Sequence, residues 1–368
     1  MAGWKEEIKK TVTKPEDAEL LLHLSEEEKK KFEDILERFP MAVPPYYLSL
    51  IDFEDENDPI LKMALPSVRE TDLEGTFDTS GEASNTVAGG IQHKYAPTAL
   101  ILSTNRCAMY CRHCFRKRLV GQSDSEIASH FTEIVSYIKA HEEISNVILS
   151  GGDALMLSNA RLRQYLEVLC ALPQLDLIRI ATRIPVVLPE RIYGDKELLD
   201  LLTEYGSKKP LYMITQFNHP REMTEQAALA VSLVHKRGIV IKNQTVLLHG
   251  VNDAPAVLGD LLRKLTRNNI VPYYIFQCRP VAGVKNHFQV PIKRGIEITE
   301  AAKAMQNGQG KCIKYCMSHP RGKIEIVGSL PNGETVFKFH QAKYDEDAGR
   351  IFTLKLGESQ GWLDDDLR

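Results

Sequence analysis

The sequence predicts an α/β protein with a partial (β/α)6 barrel at its centre. From about Tyr95 onward, short β-branched or leucine-rich runs alternate with longer amphipathic segments. Six strands separated by helices pair in parallel through right-handed crossovers. Polar residues follow nearly every strand-like run, as they do at the active-site face of a β/α barrel.

The elements follow one another in a regular order. The predicted strands are Ala99–Ser103, Asn146–Leu149, Leu177–Ala181, Leu211–Thr215, Ile239–Leu247 and Val271–Phe276, with later strand-like runs at Ile324–Val327 and Thr335–Phe339. The predicted helices cover about Asp124–His141, Asn159–Ala171, Asp195–Tyr205, Glu222–Lys236 and Pro255–Thr266. The polar residues at or just after the strands are Cys107, Cys111, Cys114, Ser150–Asp153, Thr182, Arg183, Gln216, Asn218, His219, Asn243, Gln244, Gln277, Cys278 and Arg279.

Three regions are expected along the chain. Residues 1–90 form a mainly helical accessory region that ends in a polar strap over Thr71–Thr86. Residues 91–300 hold the barrel, and residues 301–368 form a short C-terminal extension.

Composition and charge exclude several classes of partner. A net charge of −3 and a pI near 6.4 give no electrostatic reason to expect nucleic acid or an anionic membrane. No apolar run is long enough to span a bilayer, and Met1–Lys10 lacks the apolar stretch of a signal peptide. The expected location is therefore the cytoplasm.

Three of the seven cysteines, Cys107, Cys111 and Cys114, lie on one short loop, which favours a metal centre over disulfides. Iron–sulfur clusters usually take four cysteine ligands. With three, a [4Fe–4S] cluster keeps one iron open for the amino and carboxylate groups of S-adenosylmethionine (SAM). Zinc is the alternative, with His113 as a fourth ligand. Core packing or incidental placement is expected for Cys170, Cys278, Cys312 and Cys316.

Ser150-Gly151-Gly152-Asp153 follows an apolar strand-like run. The glycines would let the backbone approach a ligand closely, such as the ammonium of SAM, and Asp153 can begin the next helix. The motif taken alone is more typical of a plain strand-to-helix turn with an N-capping aspartate.

From Thr104 to Gly121 (TNRCAMYCRHCFRKRLVG) the sequence resembles the lysine 2,3-aminomutase family of radical SAM enzymes. The likeness continues in register through Leu149–Leu155, Arg179–Ile192, Gln216–Thr224, Asn243–Asp253, Pro272–Cys278 and His287–Ile298. It covers roughly Tyr95–Ile298, and it implies a barrel of the radical SAM type.

The resemblance implies an isomerase that moves an amino group within an amino acid. Family members use a [4Fe–4S] cluster, SAM and pyridoxal phosphate, which a lysine holds as a Schiff base until the substrate amine displaces it. The adenosyl radical abstracts a β-hydrogen, and the imine nitrogen migrates from the α- to the β-carbon. The implied partners are a small amino-acid substrate and an electron donor such as flavodoxin or ferredoxin; homo-oligomerisation stays open.

The resemblance assigns roles position by position. Cys107, Cys111 and Cys114 match the cluster ligands, and Arg116 matches the arginine that pairs with the substrate α-carboxylate. The alternative for Arg116 is a solvated basic loop. The residues that match SAM contacts are Gly151, Gly152, Asp153, Gln216 and Gln244.

Lys94 and Tyr95 match the positions that grip the phosphate group of pyridoxal phosphate. Lys94 replaces an arginine there, and Thr98 stands where a second arginine is usual, so a weaker grip is expected. Lys323, in Pro320-Arg321-Gly322-Lys323, is the candidate Schiff-base lysine, although the family's glycine run is shortened. A surface lysine before a strand is the alternative.

Two aspartates that bind the lysine ammonium in the family are absent. Arg279 takes the place of one, and Ser318 or His319 takes the place of the other. An arginine repels an ammonium, so free lysine is an unexpected substrate and an acidic side chain such as that of glutamate is favoured. An outward-facing or locally paired Arg279 is the alternative.

Three functions therefore compete. The first is a pyridoxal-dependent radical aminomutase, with glutamate favoured as substrate. The second, kept open by Thr98 and the shortened glycine run, is a pyridoxal-independent radical SAM enzyme that abstracts hydrogen from a peptide or other substrate. The third is a non-catalytic iron–sulfur protein, which would need no SAM site.

Overall fold

The computed structural model describes residues 3–14, 25–122, 127 and 131–368. Its strands are β1 Thr86–Ala88, β2 Ile91–Tyr95, β3 Thr98–Thr104, β4 Asn146–Gly151, β5 Leu177–Ala181, β6 Leu211–Thr215, β7 Val240–Leu247, β8 Ile270–Gln277, β9 Lys314–His319, β10 Gly322–Ser329, β11 Thr335–Ala342 and β12 Ile351–Leu354. These strands form one sheet whose order follows the order of the chain.

Helices flank the sheet throughout the described residues. They are α1 Trp4–Lys9, α2 Glu26–Arg38, α3 Pro45–Leu48, α4 Pro59–Ala64, α5 Glu82–Asn85, α6 Phe131–Ala140, α7 Asn159–Cys170, α8 Ile184–Val187, α9 Glu190–Tyr193, α10 Lys196–Gly206, α11 Glu225–His235, α12 Pro255–Arg267, α13 Lys285–Phe288 and α14 Ile292–Ala304. Short 3-10 turns lie at Val68–Thr71, Ala154–Met156, Pro220–Glu222, Gly310–Cys312 and Asp345–Asp347.

All six predicted barrel strands are confirmed, and they pair in parallel from β3 to β8. A seventh strand that the sequence did not predict, β9, continues the parallel part beside β8. Beyond it β10, β11 and β12 pair antiparallel, as do β1 and β2 beside β3. Each end strand of the described sheet pairs with one neighbour, so the barrel is partial, as predicted.

The helices form where apolar spacing and caps require them. In α12, Pro255 takes the first position and leucines at 258, 261, 262 and 265 are fully buried. In α10 the side chain of Asp195 accepts a hydrogen bond from the backbone N–H of Leu198. The predicted helix at 124–141 is seen as α6; residues 124–126 and 128–130 lie outside the described part.

Successive side chains along the strands point alternately to the hydrophobic core and to the barrel interior. Ile101, Leu149 and Ile180 have at most 1% of their surface exposed and belong to the hydrophobic core. Their neighbours Ile148 and Arg179 face the interior, where they line a cavity. No helix among the described residues is long and apolar enough to cross a membrane.

The N-terminal residues that the structure describes pack against the barrel. Tyr47 donates a hydrogen bond to Glu222 at 2.6 Å, and Trp4 Nε1 donates to Asp195 at 3.3 Å. The strap reaches the C-terminal end of β8, where Thr76 N donates to Pro280 O at 3.0 Å. The division into three regions stays a prediction.

Candidate active site

A cavity of about 380 Å³ lies at the barrel interior and opens at the carboxyl ends of the parallel strands. All the residues that the sequence assigned to the site line this cavity: Lys94, Tyr95, Cys107, Cys111, Cys114, Arg116, Gly151, Gly152, Asp153, Gln216, Gln244, Arg279, Ser318 and Lys323. The structure brings them together, while their individual roles stay predictions.

The cysteine loop follows β3 and is anchored by the N-terminal region. Tyr110 N donates to Ala42 O, and Arg112 N donates to Met63 O, both at 2.9 Å. All three thiols are free. Burial raises the pKa of Cys107, and it raises the pKa of Cys114 to about 11. Thiolates here therefore need a positive partner, which bound iron would supply.

The spacing of the sulfur atoms distinguishes the two metal hypotheses. Tetrahedral zinc, with Zn–S bonds of about 2.3 Å, holds its ligand sulfurs about 3.8 Å apart. Among the described residues, the three cysteines do not form a set whose ligand atoms all lie within 4.8 Å of one another. His113 lines the same cavity; its Nε2 lies 3.1 Å from Asn218 Nδ2, while its Nδ1 has no hydrogen-bond partner among the described residues. Each thiolate of a cubane cluster binds a different iron, so sulfur atoms spaced more widely than one zinc ion allows are compatible with such a cluster.

Gly151 and Gly152 hold the end of β4 against the cysteine loop. Gly152 N donates to Thr104 O at 2.6 Å, and Asp153 N donates to Arg106 O at 2.8 Å. Gly151 has φ +117°, and a Cβ there would overlap the carbonyl oxygen of Thr104. The glycines thus permit the cysteine loop itself to lie close to the end of β4.

Asp153 and Arg183 fix the strand ends beside Cys111. The Asp153 carboxylate accepts from Thr182 Oγ1 and from Arg183 N, both at 2.6 Å, and it caps the short turn that follows. Arg183 Nη1 donates to Cys111 Sγ at 2.8 Å, and Nη2 contacts Glu222 at 2.5 Å. The sequence marked Arg183 as polar without giving it this role.

Two carboxylates from the accessory region, which the sequence analysis missed, neutralise the basic part of the cysteine loop. Glu70 accepts from Arg112 Nη2 and Lys117 Nζ, both at 2.5 Å. Burial opposes ionisation of Glu70, but these two cations outweigh it and hold its pKa below the usual value. Glu82 pairs at 2.8 Å with Arg116 and with Arg118. The loop is therefore buried and paired, which disagrees with a solvated basic loop.

Replacing Glu70 by glutamine is expected to lower the free energy of unfolding by about 3–5 kcal/mol, because Arg112 and Lys117 would keep buried charges without a partner. Thermal and urea unfolding of the cluster-free chain would measure this. Glu74→Gln is the control, since Glu74 pairs with Lys285 at the surface and its loss should cost less than about 1 kcal/mol. Equal effects of the two changes would contradict a stabilising role for the buried pairing of Glu70 with Arg112 and Lys117.

The floor of the cavity carries cations and unpaired donors. Lys94 Nζ donates to His319 O at 2.5 Å and, over a longer distance, to Ser80 O at 3.4 Å. Burial together with nearby cations lowers its pKa to about 7. The hydroxyl of Tyr95 is buried, and it has no hydrogen-bond partner within the described ranges. Arg179, which the sequence placed inside a strand without a role, donates Nη2 to Asn146, and its Nε is buried and unpaired.

Lys323 lies on β10, opposite Ser318 on β9, rather than on a surface loop. Its Nζ sits 4.1 Å from the ring centre of Tyr274 and 5.6 Å from that of Phe276. Burial lowers the pKa of Lys323 to about 8. Ser318 also lines the cavity, whereas His319 is turned away and contacts Asp364 O at 3.0 Å.

Arg279 faces inward after β8. Its guanidinium lies 4.1 Å from the ring centre of Phe115, and its buried Nη1 has no hydrogen-bond partner in the part of the chain that the structure describes. Burial lowers its pKa to about 10, and Glu82 is the main opposing charge. An arginine held this way leaves a donor for an anionic ligand.

The lining as a whole fits anionic cofactors and substrates. Its acidic residues are Glu82 and Asp153. Its basic residues are Lys94, Arg116, Arg179, Arg183, Arg279 and Lys323. The buried donors without partners include Tyr95 Oη, Arg179 Nε and Arg279 Nη1. The cysteine trio fits an iron–sulfur cluster, and the cationic floor beside Lys323 fits the phosphate and aldehyde of pyridoxal phosphate.

Comparison with known proteins agrees with this chemistry. The family model described as the radical SAM superfamily matches residues 101–261. L-lysine 2,3-aminomutase of Acetoanaerobium sticklandii is 38% identical over 320 residues, which are 85% of this chain and 74% of that protein. Glutamate 2,3-aminomutase of Clostridioides difficile is 36% identical over 322 residues, which are 87% and 75% of the two chains.

A protein of Aquifex aeolicus, provisionally named L-lysine 2,3-aminomutase, is 38% identical over 351 residues, 95% of this chain and 93% of that protein. Among solved structures, coproporphyrinogen III oxidase of Escherichia coli matches with a TM-score of 0.35 and 12% identity over 72% and 73% of the two chains, too low to define the fold further. The long, well-covered matches decide the question: this chain belongs to the lysine 2,3-aminomutase family of radical SAM enzymes, isomerases that use a [4Fe–4S] cluster, SAM and pyridoxal phosphate.

Proposed function

We propose that the enzyme moves an amino group from the α- to the β-carbon of an amino acid with an acidic side chain, glutamate first. The single observation that carries this is Arg279, a buried arginine with an unpaired donor inside a cavity rich in positive charge. A lysine substrate would place its ammonium against this guanidinium, whereas a second carboxylate would satisfy it.

The bound cofactors supply the radical chemistry: a reduced cluster cleaves SAM, and the pyridoxal ring spreads the unpaired electron of the migrating group. Cys107, Cys111 and Cys114 would hold the cluster, and the Arg183 contact to Cys111 orients one of these ligands. Gln216 and Gln244 line the cavity and offer side-chain amides to SAM.

Arg116 is the proposed partner of the substrate α-carboxylate, and its surroundings determine how it acts. Its Nε donates to Glu82 at 2.8 Å, and its Nη1 donates to Ser150 Oγ at 3.0 Å. These bonds lock the guanidinium at the cavity wall. The α-carboxylate would share Arg116 with Glu82, which makes Glu82 a positioning residue.

The phosphate of pyridoxal phosphate is proposed to bind at the cavity floor. Lys94 provides an amine, whose charged form a bound phosphate would favour, and the hydroxyl of Tyr95 provides a hydrogen-bond donor. Thr98 cannot supply the arginine charge usual in the family. Asn146 links it to an arginine instead: its Nδ2 donates to Thr98 Oγ1 at 3.1 Å, and its Oδ1 accepts from Arg179 Nη2. Arg179 on β5 therefore brings a guanidinium to the same end of the barrel, linked to Thr98 on β3 through Asn146 on β4.

Lys323 is proposed to form the covalent link to pyridoxal phosphate. Two aromatic rings hold its Nζ in a desolvated position, and burial lowers its pKa to about 8. An amine must be neutral to attack an aldehyde, and an ordinary lysine, with a pKa near 10.4, is almost wholly protonated at neutral pH.

The rate of adduct formation at Lys323 should rise about tenfold per pH unit below pH 8 and level off above it. The rate rises with pH because the neutral amine is the reactive form, and the lowered pKa makes this form predominate above pH 8. Cyanoborohydride trapping of pyridoxal phosphate from pH 6 to 10, with peptide mass mapping, measures this rate. A rate that still rises from pH 8.5 to 10 would indicate an unperturbed lysine.

The proposed function is tested by borohydride reduction of the cluster-loaded protein with pyridoxal phosphate. We expect a pyridoxyl adduct on the peptide that contains Lys323, and none in Lys323→Ala. Lys314→Ala is the matched control, because Lys314 pairs with Glu325 and does not line the cavity. If the wild type forms no adduct yet binds and cleaves SAM, the pyridoxal-independent radical enzyme is the better account.

A further inference from the structure

His93, His141 and Glu143 form a cluster outside the cavity, since none of them is among its lining residues. Their ligand atoms all lie within 4.8 Å of one another. His93 is on β2, while His141 and Glu143 follow α6 and precede β4. The histidines are half-buried and Glu143 is exposed.

The hydrogen bonds of the two histidines decide which ring nitrogens are available. His93 Nε2 lies 3.0 Å from Ala96 O, and His141 Nδ1 lies 2.8 Å from Tyr137 O. A backbone carbonyl only accepts, so each of these nitrogens carries the hydrogen. Neutral His93 then has its lone pair on Nδ1, and neutral His141 has its lone pair on Nε2.

This tautomer pattern is the one that metal-binding histidines adopt, with the non-ligating N–H donated to a carbonyl. Glu143 adds a carboxylate that forms no ion pair with any residue in the described ranges. From these observations we propose that His93 Nδ1, His141 Nε2 and the Glu143 carboxylate bind a zinc ion, with a water in the fourth position.

The competing explanation is a cluster held by its own contacts. Tyr137 stacks on His141 with ring centres 3.9 Å apart, and its hydroxyl lies 2.9 Å from His93 Nδ1. In that case Tyr137 would be the donor that occupies the His93 lone pair. Zinc must displace this hydroxyl. If the cluster is a zinc site, removing the hydroxyl should therefore leave zinc affinity unchanged or higher. If the cluster is held only by its own contacts, removing the hydroxyl should weaken the cluster.

A metal here would tie the β2 strand to the segment between α6 and β4. His93 directly precedes Lys94 and Tyr95, which line the cavity floor. The site takes a borderline cation with nitrogen and oxygen ligands, so zinc should bind and magnesium should not. The proposal does not depend on the substrate or on pyridoxal phosphate.

The test uses the full chain with its iron–sulfur cluster assembled, so that the cysteine trio is occupied. After anaerobic equilibrium dialysis against zinc, elemental analysis should find one zinc beyond the cluster iron. Glu143→Gln and His141→Asn should each weaken zinc binding by at least about tenfold. Tyr137→Phe should bind zinc at least as tightly as the wild type.

His249→Ala is the control, since His249 is an exposed histidine paired with Asp253 elsewhere on the surface. Iron content and circular dichroism show that each variant is folded; Glu143→Gln alters an exposed side chain and keeps its shape. Absence of zinc from the wild type would overturn the proposal. Wild-type zinc affinity in both Glu143→Gln and His141→Asn, or its loss in Tyr137→Phe, would do so as well.

Discussion

In a protein with Cys111 replaced by alanine, we expect the [4Fe–4S] cluster and the reductive cleavage of SAM to fall to background. Cys111 is one of the three cysteines of the cysteine loop, all of which line the cavity. Arg183 Nη1 donates to its sulfur at 2.8 Å. A cluster with two protein ligands would lack an anchor on a second iron. Iron and sulfide content, and the yield of 5′-deoxyadenosine after reduction, measure both losses.

Cys312→Ala is the control for this change, because Cys312 is an exposed thiol outside the cavity. It should keep full iron content and full SAM cleavage. Zinc bound at the cysteine loop, with little iron after anaerobic reconstitution, would contradict the cluster and return the centre to the alternative with His113.

The second large effect is expected at Arg279. Arg279→Gln should lower kcat/KM for glutamate by about 30- to 4,000-fold, the equivalent of about 2–5 kcal/mol for losing one partner of a buried charge pair. The reason is that the side-chain carboxylate would be desolvated in the cavity without its guanidinium. Steady-state formation of the β-amino product measures the change.

Arg294→Gln gives the matched control, because Arg294 pairs with Glu297 on the surface and should leave kcat/KM within about twofold. Arg279→Lys should retain part of the activity, since it keeps the charge but loses the planar fork. An Arg279→Gln variant as active on glutamate as the wild type would show that another group binds the side-chain carboxylate of the substrate.

Much of the fold could be predicted because periodicity and crossover rules act locally. Each of the six barrel strands is a short apolar run, and the structure confirms all of them. Strand β9 was missed because Lys314, Ser318 and His319 interrupt its apolar pattern. It is held in place by pairing with β8 and β10, which the local sequence does not reveal.

The candidate site, like the fold, could be predicted from the sequence only in part. The cysteine spacing and the Gly-Gly pair have fixed geometric consequences, and the structure places them beside each other. Glu70 and Glu82 could not be found in this way, because they reach the cysteine loop from the accessory region, 42 and 34 residues before Arg112 and Arg116, the arginines with which they pair. Arg179 lies within a strand, and its role could not be predicted because the sequence does not show that its side chain lines the cavity.

Amino migration on an acidic amino acid can be observed by product analysis. The cluster-loaded enzyme would be incubated anaerobically with reductant, SAM, pyridoxal phosphate and carbon-13-labelled glutamate, with lysine in a parallel reaction, and followed by NMR. We expect 3-aminoglutarate from glutamate and little or no β-lysine from lysine. Formation of β-lysine with no change in glutamate, or SAM cleavage with neither amino acid altered, would contradict the account.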